Sequence, residues 1–341
     1  MNVAPKISVN LVCWNHLPHL KNCLDNVLKQ DYPNFELIFI DNNSSDGSEE
    51  FVRQNFPQVK VLQTGRNTGY AGGHNIGISK SDGEFVMLLT PDIEMPVNFL
   101  SELIKPLLQD EKIAGAQGKQ VRREERAGKK LIDSTGIFLN TSRRPFDRGQ
   151  NELDSGQYDR AGEVFGCNGA AVLYRRSALE DIALDGEILD EDIFAYWDDV
   201  DLAWRLRAYG WKLWYEAPAV LIHGRAAGAS PGGYKKIFSL IKHRRSTISL
   251  FAKKLSLKNN ILVLVKNDQG WPFWSRLPLI AVRQILILGY SLLIEPKTFA
   301  VLPMMFKQLP KAFRKRQFIK KHRRVSPKEV AQWFVPRSFW I

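Results

Sequence analysis

Two places in the chain set carboxylates where chemistry could use them. Residues 84–94, EFVMLLTPDIE, run apolar up to Thr90-Pro91 and then present Asp92, with Glu94 close behind. Residues 194–211, FAYWDDVDLAWRLRAYGW, set Asp198 beside Asp199 among Tyr196, Trp197 and Trp204. A carboxylate at a strand end, opposite a glycine-rich loop, is where a divalent cation such as Mg²⁺ or Mn²⁺ could neutralise the phosphates of a leaving nucleotide. Glu94 would assist it. An adjacent pair of carboxylates in semi-apolar surroundings suits a base that takes an acceptor proton. Structural readings stand beside both: a Pro-Asp turn for Asp92, and for Asp198 and Asp199 the first turn of a helix, where the macrodipole favours acids. His223, closing the run VLIH, could ligate a metal or phosphate, or simply serve the fold.

Two polar loops could hold the nucleotide. Trp14 and Asn15 follow the apolar KISVNLVC, and Asp41 ends LIFID ahead of NNSSDGS. Asp41 can accept from a base N–H or a ribose hydroxyl, while Asn43 and its neighbours equally make a turn and helix cap. RNTGYAGGHN, residues 66–75, places Asn67, Gly69 and Asn75 in a run of small residues that lets backbone N–H groups approach a diphosphate. It matches neither G-x-x-x-x-G-K-[ST] nor G-x-G-x-x-G, and glycines make ordinary loops too.

The elements that must position these residues alternate. KISVNLVCW reads as a strand, LPHLKNCLDNVLKQ as a helix with Leu20, Leu24, Val27 and Leu28 on one face, and FELIFIDNN as a second strand. A short helix in SDGSEEFVRQNF, a strand in VKVLQT, a helix in GGHNIGISKS and the strand EFVMLLT follow. Such alternation predicts an α/β fold with a parallel, doubly wound sheet, whose ligands sit beyond the carboxyl ends of the strands. The polar stretch from Lys119 to Arg176 is expected to include a mobile loop over the site; the small residues of Phe165 to Ala171 could line a pocket there, and close strand packing explains them equally well.

Taken in order, SVNLVCWN, LIFIDNNSSDGS, GRNTGYAGGHNIGI, LLTPDIE, YWDDVDLAWRLRAYG and IHGRAAGAS resemble the family 2 glycosyltransferases, particularly bacterial rhamnosyl- and galactofuranosyltransferases. The resemblance covers roughly residues 5–235. It implies a GT-A fold with a Rossmann-like, mostly parallel sheet, and inverting transfer from a nucleotide-diphosphate sugar to a glycan or polyprenyl-linked acceptor in cell-surface polysaccharide synthesis. It further implies that Trp14, Asn15 and Asp41 hold the nucleoside, with Asn43 and Gly69 also on the nucleotide sugar. Asn67 and Asn75 would lie by the diphosphate, Asp92 would be the remaining acid of a metal-binding D-x-D, Asp199 the base with Asp198 beside it, and His223 a further metal or diphosphate contact. Thr90 stands at the first acidic position of D-x-D, so Asp92 is the only carboxylate of that motif.

At 341 residues, 44% hydrophobic and 25% charged, the chain can bury a large core. Three cysteines without metal-type spacing fit a reducing, cytoplasmic compartment, and the N-terminus does not read as a secretory leader. The net charge of +12 is uneven: residues 1–235 carry 26 Lys and Arg against 33 Asp and Glu, residues 236–341 carry 22 against 3. That contrast divides the chain into a catalytic domain, 1–235, and a basic helical C-terminal region, 236–341. Apolar stretches beside the basic residues favour an anionic membrane surface as partner over nucleic acid, for which no recognition motif is present. In WPFWSRLPLIAVRQILILGYSLLIEP, Pro278, Arg283 and Gln284 leave about ten uninterrupted apolar residues where a spanning helix needs roughly 20. Peripheral attachment to the inner face of the membrane, through Trp271, Phe273 and Trp274, is therefore expected. A helical subdomain packed on the core is the alternative.

Overall fold

The computed structural model describes residues 4–224 and 248–336. Strand β1 (Ile7–Cys13) is buried at all seven positions, as a parallel strand covered on both faces must be. Helix α1 (Leu17–Leu28) buries Leu20, Cys23, Leu24 and Val27, a 3.6-residue stripe, and Pro18 sits in its first turn, where the missing N–H costs nothing. β2 (Phe35–Asp41), α2 (Ser48–Asn55), β3 (Lys60–Gln63), α3 (Gly69–Ser79) and β4 (Phe85–Leu89) complete the alternating half. β1 pairs in parallel with β2 and β4, and β2 with β3. Their carboxyl ends therefore open on one side.

The second half departs from simple alternation. After the two-residue β5 (Ile93–Glu94), α4 (Phe99–Leu103) and α5 (Lys105–Gln109), a long β6 (Ile113–Arg126) forms a ribbon with β7 (Lys129–Ser134). β8 (Ile137–Asn140) and β9 (Pro145–Asp147) form a small separate sheet. β10 (Gly162–Val164), β11 (Ala171–Arg175) and α6 (Arg176–Asp181) lead to α7 (Asp198–Ala208) and β12 (Lys212–His223). The main sheet runs β10-β12-β6-β11-β4-β1-β2-β3, with β11 antiparallel to both β4 and β6. The sheet is thus parallel on one side of β4 and mixed on the other. The stretch expected to include a mobile loop supplies most of β6 and all of β7 to β11, its Gly and polar residues punctuating strands whose inward positions, such as Val121, Ile132, Ile137 and Leu139, are apolar and buried.

The basic region returns to this core. α8 (Leu250–Asn267) packs on α7; α9 (Trp271–Trp274), α10 (Leu277–Ile294), α11 (Leu302–His322) and α12 (Pro327–Ala331) follow, and β13 (Phe334–Val335) adds in parallel to β8. The proposed division at residues 235 and 236 lies outside the described residues. Part of the basic charge is turned inward: of the 22 Lys and Arg in residues 236–341, Lys266, Lys311 and Lys315 pair with Asp190, Asp192, Asp201 or Glu187, and Lys253 with Glu295. Hence the excess of cations is only partly available to an outside partner.

α10 also differs from its sequence expectation. It is one uninterrupted helix of 18 residues, long and apolar enough to cross a membrane by length and composition alone. Pro278 occupies its first turn, where proline is tolerated. Arg283 and Gln284 do not break it because they turn inward to Asn260 of α8, at 2.8 and 2.6 Å, and so leave Val282, Ile285, Leu286, Leu292 and Leu293 on the exposed face.

Candidate active site

Asp92 and His223 meet because β12 pairs antiparallel with β5, the two residues after the Thr-Pro-Asp-Ile turn begins its next strand. In that register His223 lies opposite Ile93, and the Gly224 N–H donates to the Asp92 carbonyl at 2.7 Å. His223 Nε2 stands 3.3 Å from Asp92 Oδ2, and its Nδ1 is 2.8 Å from Asp133 Oδ2 on β7. Asp133 in turn accepts from Arg122. Burial would lower the His223 pKa, but hydrogen bonds to the two carboxylates outweigh it and push it up to about 9. Burial would raise that of Asp92, yet the hydrogen bond and charge of His223, with a 2.7 Å hydrogen bond from Thr90, hold it well below the usual carboxylate range. Thr90 therefore serves as a hydrogen-bond donor to the one acid of its motif. Glu94 is engaged by Arg123, and its predicted assistance to Asp92 is replaced by this ion pair.

Both residues line a cleft of about 680 Å³. Trp14, Asn67 and Gly69 line it, together with Asn42. Asn42 lies in the polar stretch after the second strand, but nothing in the sequence assigned it a role of its own. Its Oδ1 accepts from Thr68 N at 2.8 Å and its Nδ2 donates to the Gly69 carbonyl at 2.8 Å, so it ties the glycine loop to the end of β2. Gly69 has φ +73°, and a Cβ there would lie 2.3 Å from the Phe194 carbonyl oxygen; only glycine fits.

Asp41, Asn15, Asn43 and Asn75 are not among the residues that line the cleft. Asp41 is fully buried; Oδ2 accepts from Ser44 N and Gln63 Nε2, whereas Oδ1 has no partner among the described residues. Asn15 braces the neighbouring loop by accepting from Ser45 N at 2.8 Å, and Asn43 takes a left-handed turn conformation with φ 62°. Asn75 does not line the cleft; its amide exchanges two 2.9 Å hydrogen bonds with the Leu189 backbone. Spacing in RNTGYAGGHN could not reveal this, because Asn75 lies two helical turns into α3.

Asp198 and Asp199, at the start of α7, also line the cleft, with Phe194, Tyr196 and Trp197. Trp204 does not join them; it packs in the core against Phe165 and Phe334. Burial, reinforced by the charge of Asp199, raises the Asp198 pKa well above the usual carboxylate range. Phe194, Tyr196 and Trp197 all have positive φ, 70°, 65° and 72°, each costing roughly 1–3 kcal/mol for such side chains. Asn168, Gly169 and Ala170 line the cleft as well, one of the two readings open to the small residues there, joined by Phe146 and Asp147 of β9, for which the sequence held no signal.

One imidazole and one carboxylate 3.3 Å apart fit two neighbouring positions around a divalent cation, with Asp133 orienting the imidazole through its other nitrogen. Among the described residues no group of three His, Cys, Asp or Glu surrounds a common point. The remaining positions would fall to phosphate oxygens and water, the usual arrangement for Mg²⁺ at nucleotide sites.

Comparison with known proteins agrees with this architecture. Over 261 residues the chain is 27% identical to a poly-beta-1,6-N-acetyl-D-glucosamine synthase of Staphylococcus epidermidis, covering 74% of this chain but 59% of that protein. Over 282 residues it is 25% identical to an N-acetylglucosaminyl-diphospho-decaprenol L-rhamnosyltransferase of Mycobacterium tuberculosis, covering 75% and 86%. The fold resembles that of GalNAc-T7, solved with UDP, GalNAc and Mn²⁺, with a TM-score of 0.58 at 16% identity, over 82% of this chain and 52% of that one. Residues 8–183, over half of the sequence, match the family described as Glycosyl transferase family 2, and the chain belongs to that family.

Proposed function

We propose that this chain is an inverting glycosyltransferase that moves rhamnose or a similar hexose from a nucleotide-diphosphate sugar to a glycan or lipid-linked acceptor in bacterial cell-surface polysaccharide synthesis. The observation that carries the reading is that one cleft is lined by both the Asp92–His223 pair and the Asp198–Asp199 pair, together with Trp14, Asn42 and Gly69. Asp199 takes the acceptor proton as the acceptor oxygen attacks the anomeric carbon. The carbon–oxygen bond to the diphosphate breaks on the opposite face, so configuration inverts without a glycosyl-enzyme intermediate, the geometry that inverting glycosidases also use. Asp92 and His223 would hold Mg²⁺ or Mn²⁺, which supplies neutralising charge to the departing diphosphate. Trp14, Asn67 and the backbone at Gly69 orient the nucleotide. Asp41 Oδ1, buried and without a partner among the described residues, is the atom that would accept from the base or ribose. Incubating the purified protein with a panel of nucleotide sugars and lipid-linked acceptors should give acceptor-stimulated release of one nucleotide. Binding of a nucleotide sugar without any turnover on such acceptors would defeat the catalytic reading in favour of a sensor.

The place of action is read from α9 and α10. Trp271 and Trp274 are 78% and 62% exposed, and Ile285 and Leu293 continue an apolar face with basic residues on the following α11. Because Arg283 and Gln284 are tied inward to α8, this face suits a helix lying at the headgroup boundary of an anionic inner leaflet. More protein should float with anionic than with zwitterionic vesicles, and high salt should release part of it. Ile285→Asp with Leu293→Asp should reduce binding while leaving nucleotide affinity intact. Truncation within α8 is a poorer test, since α8 packs on α7. Equal flotation of wild type and the double variant would remove α10 from the contact.

A further inference from the structure

The chain carries seven acids between Glu187 and Asp201 and no Lys or Arg among them. This run includes the proposed base, on whose assignment the inference rests. Helices α8 and α11 supply what it lacks. Lys266 pairs with Asp190 and, at 2.8 Å, with Asp201; Lys315 pairs with Asp190 at 2.6 Å and Lys311 with Asp192 at 3.1 Å. At the centre of the contact is Asn259 of α8, fully buried. Its Nδ2 lies 2.9, 2.8 and 2.8 Å from the carbonyl oxygens of Ile193, Ala195 and Tyr196. Two N–H donors shared among three acceptors fix the orientation of the amide, because the reverse orientation would set Oδ1 against three carbonyls.

These carbonyls belong to the segment where Phe194, Tyr196 and Trp197 hold positive φ immediately before Asp198 and Asp199. Such a conformation persists only where the surroundings over-determine it. On the other side, the Ala71 N–H donates to the Phe194 carbonyl at 3.1 Å, so the segment is held between α3 and α8. Phe251 of α8 adds an edge contact to Phe194 and itself lines the cleft. We propose that Asn259 is a positioning residue for catalysis: it sets the backbone of residues 193–197, and through it the placement of the Asp198–Asp199 pair, which makes α8 a working part of the active site.

Asn259→Asp tests this nearly isosterically, since it replaces two donors by an acceptor facing three carbonyls. Turnover should fall about 10²-fold, the scale of a small misplacement of catalytic groups, with the donor KM unchanged. Amide hydrogen exchange across residues 193–201 should accelerate in the same variant. Asn260→Ala removes the neighbouring buried amide, which faces α10, and should leave both readouts at wild-type values. If Asn259→Asp does not fold, Asn259→Ala is read in the same way. Unchanged turnover and exchange in the Asn259 variants would overturn the proposal, as would equal losses in Asn260→Ala, which would make the effect a general one on α8. Were the wild type inactive on every donor, the glycosyltransferase reading would fall, while hydrogen exchange would still decide whether Asn259 holds the segment.

Discussion

Replacing Asp199 by Asn is expected to lower turnover on the order of 10²–10⁴-fold, the loss that follows removal of a positioned base, while leaving donor affinity in place. The change keeps size and one acceptor oxygen but removes the group proposed to accept the proton, so the defect should appear in kcat and spare nucleotide binding. Asp198→Asn should be milder, for a physical reason visible in the fold. Asp198 is buried, and burial together with the charge of its neighbour raises its pKa, so a neutral amide replaces a carboxyl already biased toward its neutral form. Single-turnover kinetics with saturating donor separate the two variants. A reversal, with Asp198→Asn the crippled one, would move the base by one residue; no effect from either would remove α7 from the chemistry altogether.

Asp92→Asn is expected to weaken cation-dependent binding of a nucleoside diphosphate strongly, because the sole carboxylate of its motif then no longer carries charge. His223→Ala should do so less, since His223 must first give up the proton that Asp92 and Asp133 favour, and then contributes one ligand bond without neutralising charge. Titration calorimetry with Mn²⁺ and nucleoside diphosphate, repeated with chelator, reads both. Wild-type binding that ignores the chelator would contradict the role given to Asp92. Asp92→Asn also deprives His223 of one of its two carboxylate partners, so thermal unfolding of each variant without nucleotide should accompany the binding data.

How much of this was legible in the chain follows the range of each interaction. The strands β1 to β4 and helices α1 to α3 were readable because apolar periodicity is a local property, and the strand ends marked Trp14, Asp41 and Asp92 as residues at the carboxyl edge of a sheet. Asp198 and Asp199 were readable as the first turn of a helix for the same reason. What local pattern cannot carry is which side of an element faces which partner. Asn75 and Trp204 have the right composition for a site, yet the rotation of α3 and α7 turns one to Leu189 and the other into the core.

The order of residues along the chain thus determined the alternating α/β half and the carboxylates that could do chemistry, and composition the charge contrast between its two ends. Tertiary structure alone decided that His223 stands against Asp92, through antiparallel pairing of β12 with β5, and that Asp133 orients it from β7. It alone decided that Lys266, Lys311 and Lys315 neutralise acids of the run 187–201, where composition had assigned the basic charge as a whole to an outside surface. A cation and an acid far apart in sequence carry no mark of whether they will meet. Only packing, which excludes water and makes an unpaired buried charge costly, forces them together.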